Sequence, residues 1–306
     1  MKQNYLIAIS AKLMNCLLFS TITLLTIHSV SFLPVEQVLF FRSILGAFIC
    51  LIYLVVIKQT ITFNLSKEDF FYYFMRALSS FIAMQLWIFA IKRVGVNEAT
   101  ALSYTGPFWL FLAAKYVMGE AFNWKSLLAI AINMLGVLVI LHPSLEGLSI
   151  IGLIASVGSI LLWVFYETIC KKQTSNQNYM LQALYVFIMA SFITAPFAVI
   201  KWQPIDFQIS AILLLLAALS VLNVISIFIA YMFAPMMIIS PFSYARLVFT
   251  AVLTSWAHHT IPHLEVFIGA AIILIANLGF TYSLNPFSLL GFKKIFSVFK
   301  KKAELN

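Results

Sequence analysis

Ten apolar runs of roughly twenty residues follow one another along this chain, joined by short polar connections. They lie at about 5–28, 35–57, 70–91, 97–118, 124–141, 148–170, 179–200, 207–232, 237–257 and 263–284. A helix of that length crosses the hydrocarbon core of a bilayer, where the backbone finds no water and must bond to itself. A membrane β-barrel would need short alternating segments, and these runs are too long and too uniformly apolar. With 63% hydrophobic and 9% charged residues the chain has no polar coat for water. The expectation is an all-α polytopic membrane protein of ten transmembrane helices, whose lipid partner is the bilayer itself. The first run lacks a small-residue cleavage site ahead of a polar region, so it reads as a retained helix.

Lys and Arg give the orientation. With the N-terminus inside, the inner segments hold Lys2, Lys58, Lys67, Lys125, Lys171, Lys172, Lys293, Lys294, Lys300, Lys301 and Lys302. The outer loops hold Lys92, Arg93 and Lys201. Both ends are therefore expected in the cytoplasm, and the net charge of +9 is a topology signal, with no nucleic-acid partner implied. The tail at 286–306 sets Phe292, Ile295, Phe296 and Phe299 at helical spacing beside five lysines, a pattern that lies on anionic headgroups.

The chain also repeats itself. YTGPFWLFLAAKYVMGEAFNWKSLLAIAINMLGVLVI, from Tyr104, meets YARLVFTAVLTSWAHHTIPHLEVFIGAAIILIANLGF, from Tyr244. Two halves of five helices follow, 1–143 and 147–285, divided near His142-Pro143. An odd number of helices per half inverts the second copy, so the expected architecture is two inverted five-helix repeats around a cavity.

These residues carry a family resemblance. EQVLFFRSILGAFICLIYL, the 96–143 stretch with Pro107, Gly119-Glu120 and Gly136, and LLWVFYETICKK resemble the EamA-type repeat of the drug/metabolite transporter superfamily. That resemblance implies a ten-helix inverted-repeat carrier of the inner membrane. The second half departs from it: Leu247 stands opposite Pro107 and His259-Thr260 opposite Gly119-Glu120, so the two halves are expected to be functionally unequal. EQVLFFR, the Arg76-Ala77 opening of the third span and the Tyr244-x-Arg246 of the ninth are similar in pattern to S-adenosylmethionine uptake carriers.

Five basic residues fall inside spans: Lys12, Arg42, Arg76, Lys115 and Arg246. Lys115 and Lys12 lie near enough to an end to snorkel to headgroups. Arg42 and Arg76 stand deeper and read either as structural or as binding groups. Arg246 is about nine residues from either end of its span, where a charge costs about 2.5–3.5 kcal/mol by insertion scales. It is the leading candidate to hold an anionic group of a substrate, with a structural pair to Glu167 as the alternative. Glu167 is the one acid read inside a span; it could carry a proton, pair an arginine or bind an amine. Glu36, Glu98, Glu120 and Glu265, at span ends, read as solvated. Tyr104, Trp109, Trp163, Tyr166 and Tyr244 supply rings for stacking or for holding a cation, with plain packing the competing reading. Asn15, Asn133, Asn223 and Asn277 serve equally to join helices or to line a path.

Enzyme chemistry has little support. Cys16, Cys50 and Cys170 are isolated, and Pro262 breaks the helix that would bring His259 and His263 together. No phosphate-binding GxxxxGK[ST] loop occurs, so no nucleotide is hydrolysed by the chain. No catalytic residue, metal or cofactor is expected. The reading is a secondary carrier of a small polar metabolite working by alternating access, its substrate site drawn from Arg246, Trp163, Tyr104, Tyr244, Glu167, Arg42, Tyr166 and Arg76. The resemblance points to S-adenosylmethionine uptake. The same residues would serve an exporter of amino acids or of nucleoside-like metabolites, and a lipid enzyme, channel or scaffold is the distant alternative.

Overall fold

The computed structural model describes residues 4–59, 66–143, 149–174, 178–257 and 263–284, all of it helices and their connections. The basic tail and the His258–Pro262 stretch lie outside the described residues. The helices are α1 (Tyr5–Val30), α2 (Val35–Val56), α3 (Lys67–Val94), α4 (Val96–Ser103), α5 (Gly106–Tyr116), α6 (Trp124–Leu141), α7 (Ile150–Gln173), α8 (Tyr179–Ile200) and α9 (Phe207–Phe233). A short α10 (Met236–Ile239) and a 3₁₀ turn (Ser240–Tyr244) lead into α11 (Ala245–Ala257), and α12 (Leu264–Leu284) follows. Among the described residues, nine helical segments are long and apolar enough to cross a membrane, with the stretch from Met236 to Ala257 counted as one. The tenth expected span is the interrupted pair α4–α5. The chain is an all-α polytopic membrane protein.

Polar side chains start these helices. Asn4, Ser66, Asn123, Ser149 and Asn178 each accept a hydrogen bond from a backbone N–H in the first turn of the helix that follows. Gly95, at φ 98°, reverses the chain between α3 and α4 in a conformation few other residues adopt. Outward faces are apolar in mid-span, as at Phe192, Leu161 and Leu274, and aromatic near helix ends, as at Trp124, Trp202, Trp256 and Tyr282.

The packing is built in pairs. α3 runs along α7 and α1 along α9; α2 packs on α8, and α6 on α12. Advancing each helix by five spans turns the α3/α7 pair into α9/α1, and leaves α2/α8 and α6/α12 as themselves. All four intramembrane asparagines are spent on joining helices. Asn15 Nδ2 donates to Asn223 Oδ1 at 2.6 Å, linking α1 to α9. Asn133 Nδ2 donates to Asn277 Oδ1 at 3.2 Å, linking α6 to α12.

Two spans read from the sequence as continuous are broken. In the fourth, Pro107 has no N–H to continue the ladder, and the bonds shorten to Thr105 N–Leu102 O at 2.9 Å and Phe108 N–Thr105 O at 3.0 Å. The Ser103 and Thr105 hydroxyls add second hydrogen bonds to the carbonyls of Thr100 and Leu102. In the ninth span the break surrounds Pro241, and neighbouring helices supply the donors. Asn133 Nδ2 reaches Pro241 O at 3.4 Å, Cys16 Sγ reaches Phe242 O at 3.5 Å, and Ser20 Oγ reaches Arg246 O at 3.0 Å. Irregular backbone inside a membrane protein persists only when its polar groups are met in this way.

Candidate substrate site

The helical spacing of α1 sets Lys12, Asn15, Cys16, Phe19, Ser20 and Thr23 along one side of that helix. This stripe faces α7, α9 and the broken ninth span. On it Phe19 forms the seat of Arg246, whose guanidinium carbon stands 4.0 Å from the ring centroid. Phe19 in turn meets Trp163 edge to face, with centroids 6.4 Å apart, and Trp163 meets Tyr166 in the same manner at 5.6 Å. The Tyr166 ring carries Arg76, its guanidinium carbon 4.8 Å from the centroid. Arg246, Phe19, Trp163, Tyr166 and Arg76 thus form one continuous row across α11, α1, α7 and α3. Trp163 and Tyr166 share a face of α7 because they are three residues apart.

The two ends of the row differ. Arg76 is fully enclosed and committed: Nη1 donates to Gln173 Oε1 at 2.9 Å and Nη2 to the Tyr166 hydroxyl at 3.4 Å. Its contacts make it a group that orients Tyr166. Arg246 meets no hydrogen-bond acceptor and no carboxylate among the described residues, and its Nε is shut off from solvent. Arg42 on α2 is in the same condition, and it stands within charge range of Tyr166. Arg246 also occupies the first turn of α11, the end of a helix where the backbone dipole disfavours a cation.

Glu167 is not the partner of Arg246. It pairs with Lys12 Nζ at 3.6 Å and accepts a hydrogen bond from the Tyr231 hydroxyl. Lys12 does not snorkel: its side chain is 0% exposed and lies 5.8 Å from the centroid of the Tyr231 ring. Distance from the helix end gave no hint of this, because the side of α1 that carries Lys12 is turned to the protein. Lys115, in contrast, is exposed at the end of α5, beside the rings of Tyr116 and Phe122.

Tyr104 and Tyr244 mark the two helix breaks and stack on each other, with centroids 6.2 Å apart and planes at 21°. Both are buried, and Arg246 stands within charge range of Tyr104. The stacked pair and the aromatic row are therefore neighbours on either side of Arg246. Trp109 packs against the apolar core beside Phe108 and joins neither group.

Of the span-end acids, Glu120 is not merely solvated. Its two carboxylate oxygens accept from Met236 N at 2.7 Å and Met237 N at 2.8 Å, closing the start of α10. Lys171 answers from the other side, donating to Tyr231 O at 2.6 Å and Ala234 O at 2.8 Å at the end of α9. Glu36 pairs with Lys201 at 2.6 Å across α2 and the end of α8. Among the described residues no group of three His, Cys, Asp or Glu side chains could hold a metal ion.

Phe19, Lys12, Tyr231 and Gln173 complete the site and were not singled out as binding residues by the sequence. The polar recurrence Lys12, Cys16, Ser20 was a readable signal for the inward side of α1. For Phe19, one of 29 phenylalanines, there was none.

Comparison with known proteins gives a consistent result. Residues 6–142 match the EamA-like transporter family. A riboflavin transporter of Brucella anthropi is 26% identical over 220 residues, covering 70% of this chain and 77% of its own. An S-adenosylmethionine uptake transporter of Rickettsia prowazekii is 23% identical over 250 residues, covering 81% and 83%. A pseudopaline exporter of Pseudomonas aeruginosa is 22% identical over 214 residues, covering 68% and 70%. A solved crystal structure at 15% identity superposes with a TM-score of 0.75 over 88% of this chain and 94% of that one, which shows a shared fold. The interrupted fourth span, α4–α5, falls inside the region that is similar to the EamA-like transporter family.

Proposed function

We propose that the protein is a secondary carrier that moves a small, polar, partly anionic metabolite by alternating access between two inverted halves, 1–143 and 147–285. The observation that carries this reading is Arg246, seated on Phe19 at 4.0 Å with no acceptor for its guanidinium among the described residues. A mid-membrane guanidinium kept free of protein acceptors serves a ligand. Trp163 offers a ring to a planar part of the cargo. Arg42 adds charge, Tyr104 and Tyr244 bound the site, Tyr166 is held by Arg76, and Glu167 with Lys12 ties α7 to α1. Pairing of helices across the two sequence halves supports the repeat. S-adenosylmethionine uptake is one cargo drawn from the relatives, and export of amino acids or other metabolites is the alternative. In this reading the protein sits in the inner membrane with both ends cytoplasmic, and a C-terminal reporter that works only outside the cytoplasm should be silent.

The test is saturable, counterflow-competent uptake into proteoliposomes. Arg246→Lys keeps the charge but loses the planar fork, and should cut transport sharply; Arg246→Gln should nearly abolish it. Because Glu167 keeps Lys12 and Tyr231, both variants should insert and melt like the parent protein. Normal transport by Arg246→Gln would remove the anchor role.

A further inference from the structure

The charges deep in the helices do not balance. Lys12, Arg42, Arg76 and Arg246 are set against one acid, Glu167; the other acids of the described residues lie in turns, in loops or in the first turn of a helix. That single acid is already engaged by Lys12 and Tyr231. No free carboxylate therefore remains deep in the described helices to receive a ligand's ammonium or sulfonium group. On the opposite side of the ledger, Arg42, Arg76 and Arg246 each carry an enclosed Nε with no partner among the described residues, and of the three only Arg76 has its other nitrogens hydrogen-bonded. The first turn of α11 adds the positive end of a helix dipole at Arg246. Rings could hold a cation by their faces, but the two faces nearest these arginines are taken: Arg246 covers Phe19 and Arg76 covers Tyr166.

Resting on the carrier reading above, we infer that the cargo is a planar heteroaromatic molecule of net negative charge. Its oxyanion sits on Arg246 and its ring lies along Trp163, with Arg42 adding to the attraction. A compound of net positive charge, S-adenosylmethionine included, is the wrong cargo for this interior. Its carboxylate would find Arg246, but its two cationic centres would meet arginines and no free acid. Field and desolvation act together here, because a charge in a low-dielectric site is felt far more strongly than in water.

Matched ligand pairs test this on the purified full-length protein, by calorimetry and thermal shift. Orotate against uracil is the carboxylate arm; adenosine monophosphate against adenosine is the phosphate arm; S-adenosylmethionine is the cation. At least one anion should bind about tenfold or more tighter than its neutral mate. The arm that shows the preference identifies the oxyanion. Arg42→Gln and Arg246→Gln should each reduce that preference at unchanged ligand-free melting temperature. Neutral and anionic mates of equal affinity, tightest binding by S-adenosylmethionine, or no binding by either anion would each overturn the inference. Saturable uptake of a neutral or cationic compound in the same preparation would leave the carrier reading standing while sinking the anionic cargo.

Discussion

Tyr104 and Tyr244 lie face to face, with 6.2 Å between centroids and planes at 21°. Each also sits where its span is broken. The two interruptions therefore meet at one point, and the stacked rings close the contact between them.

The Tyr244 hydroxyl is enclosed and has no hydrogen-bond partner among the described residues. Tyr244→Phe removes an unmet polar group and should leave thermal stability in detergent unchanged or slightly higher. Tyr244→Ala deletes the ring and should cost about 3–5 kcal/mol. If the phenylalanine variant melts as early as the alanine one, the hydroxyl has a partner that this arrangement does not give it.

The spans were legible because hydrophobicity over twenty residues is a strong local signal, and several helix limits fall where the sequence put them. The breaks were half legible. Pro107 announces the first, but the carbonyls around Pro241 take side-chain donors from Cys16, Asn133 and Ser20, and only the tertiary structure brings those donors there. Arg246 and Trp163 stood out as costly or large residues in apolar runs. The true partner of Glu167 did not, since Lys12 lies in the other half of the chain and burial of α1's polar stripe depends on its neighbours.

The Lys12–Glu167 pair makes a prediction opposite in kind to that for Arg246. Lys12→Met leaves Glu167 enclosed without its cation, and losing one member of a buried pair costs about 3–5 kcal/mol. Folded yield and melting temperature should fall together. The double change Lys12→Met and Glu167→Gln removes both charges and should restore most of the stability. A double variant no better than the single would show that the two residues are not energetically coupled.

Glu120 and Lys171 hold the α9–α10 junction from its two sides, the acid on free amides and the base on free carbonyls, each favoured by the helix dipole it meets. Glu120→Gln and Lys171→Ala should each lower stability by about 1.5–3 kcal/mol, the usual range for a hydrogen bond to a charged group. Because both act on one break, the double variant should lose less than the two single losses together. Strict additivity, read from three melting curves against the parent, would mean that the two ends of the junction behave independently.

The α6–α12 crossing gives the sharpest test, because it contains its own control. A methyl group at Gly136 on α6 would stand 2.8 Å from Gly269 O, and one at Gly269 on α12 would stand 2.5 Å from Gly136 O and 2.4 Å from Ile140 Cγ1. Backbone oxygen cannot step aside as a side chain can, so either alanine must push the two helices apart. Small residues at such crossings are what lets membrane helices pack by van der Waals contact. Helix propensity works the other way, favouring alanine over glycine by about 1 kcal/mol. Steric overlap should win, since overpacking costs about 1–3 kcal/mol and here both helices and the Asn133–Asn277 bond are displaced. Gly279, on the same α12, has nothing within 4 Å of the position its methyl group would take. Gly279→Ala should therefore be neutral or stabilising, while Gly136→Ala and Gly269→Ala lower the melting temperature. Three variants that melt alike would mean that α6 and α12 do not approach each other as closely as this structure has them.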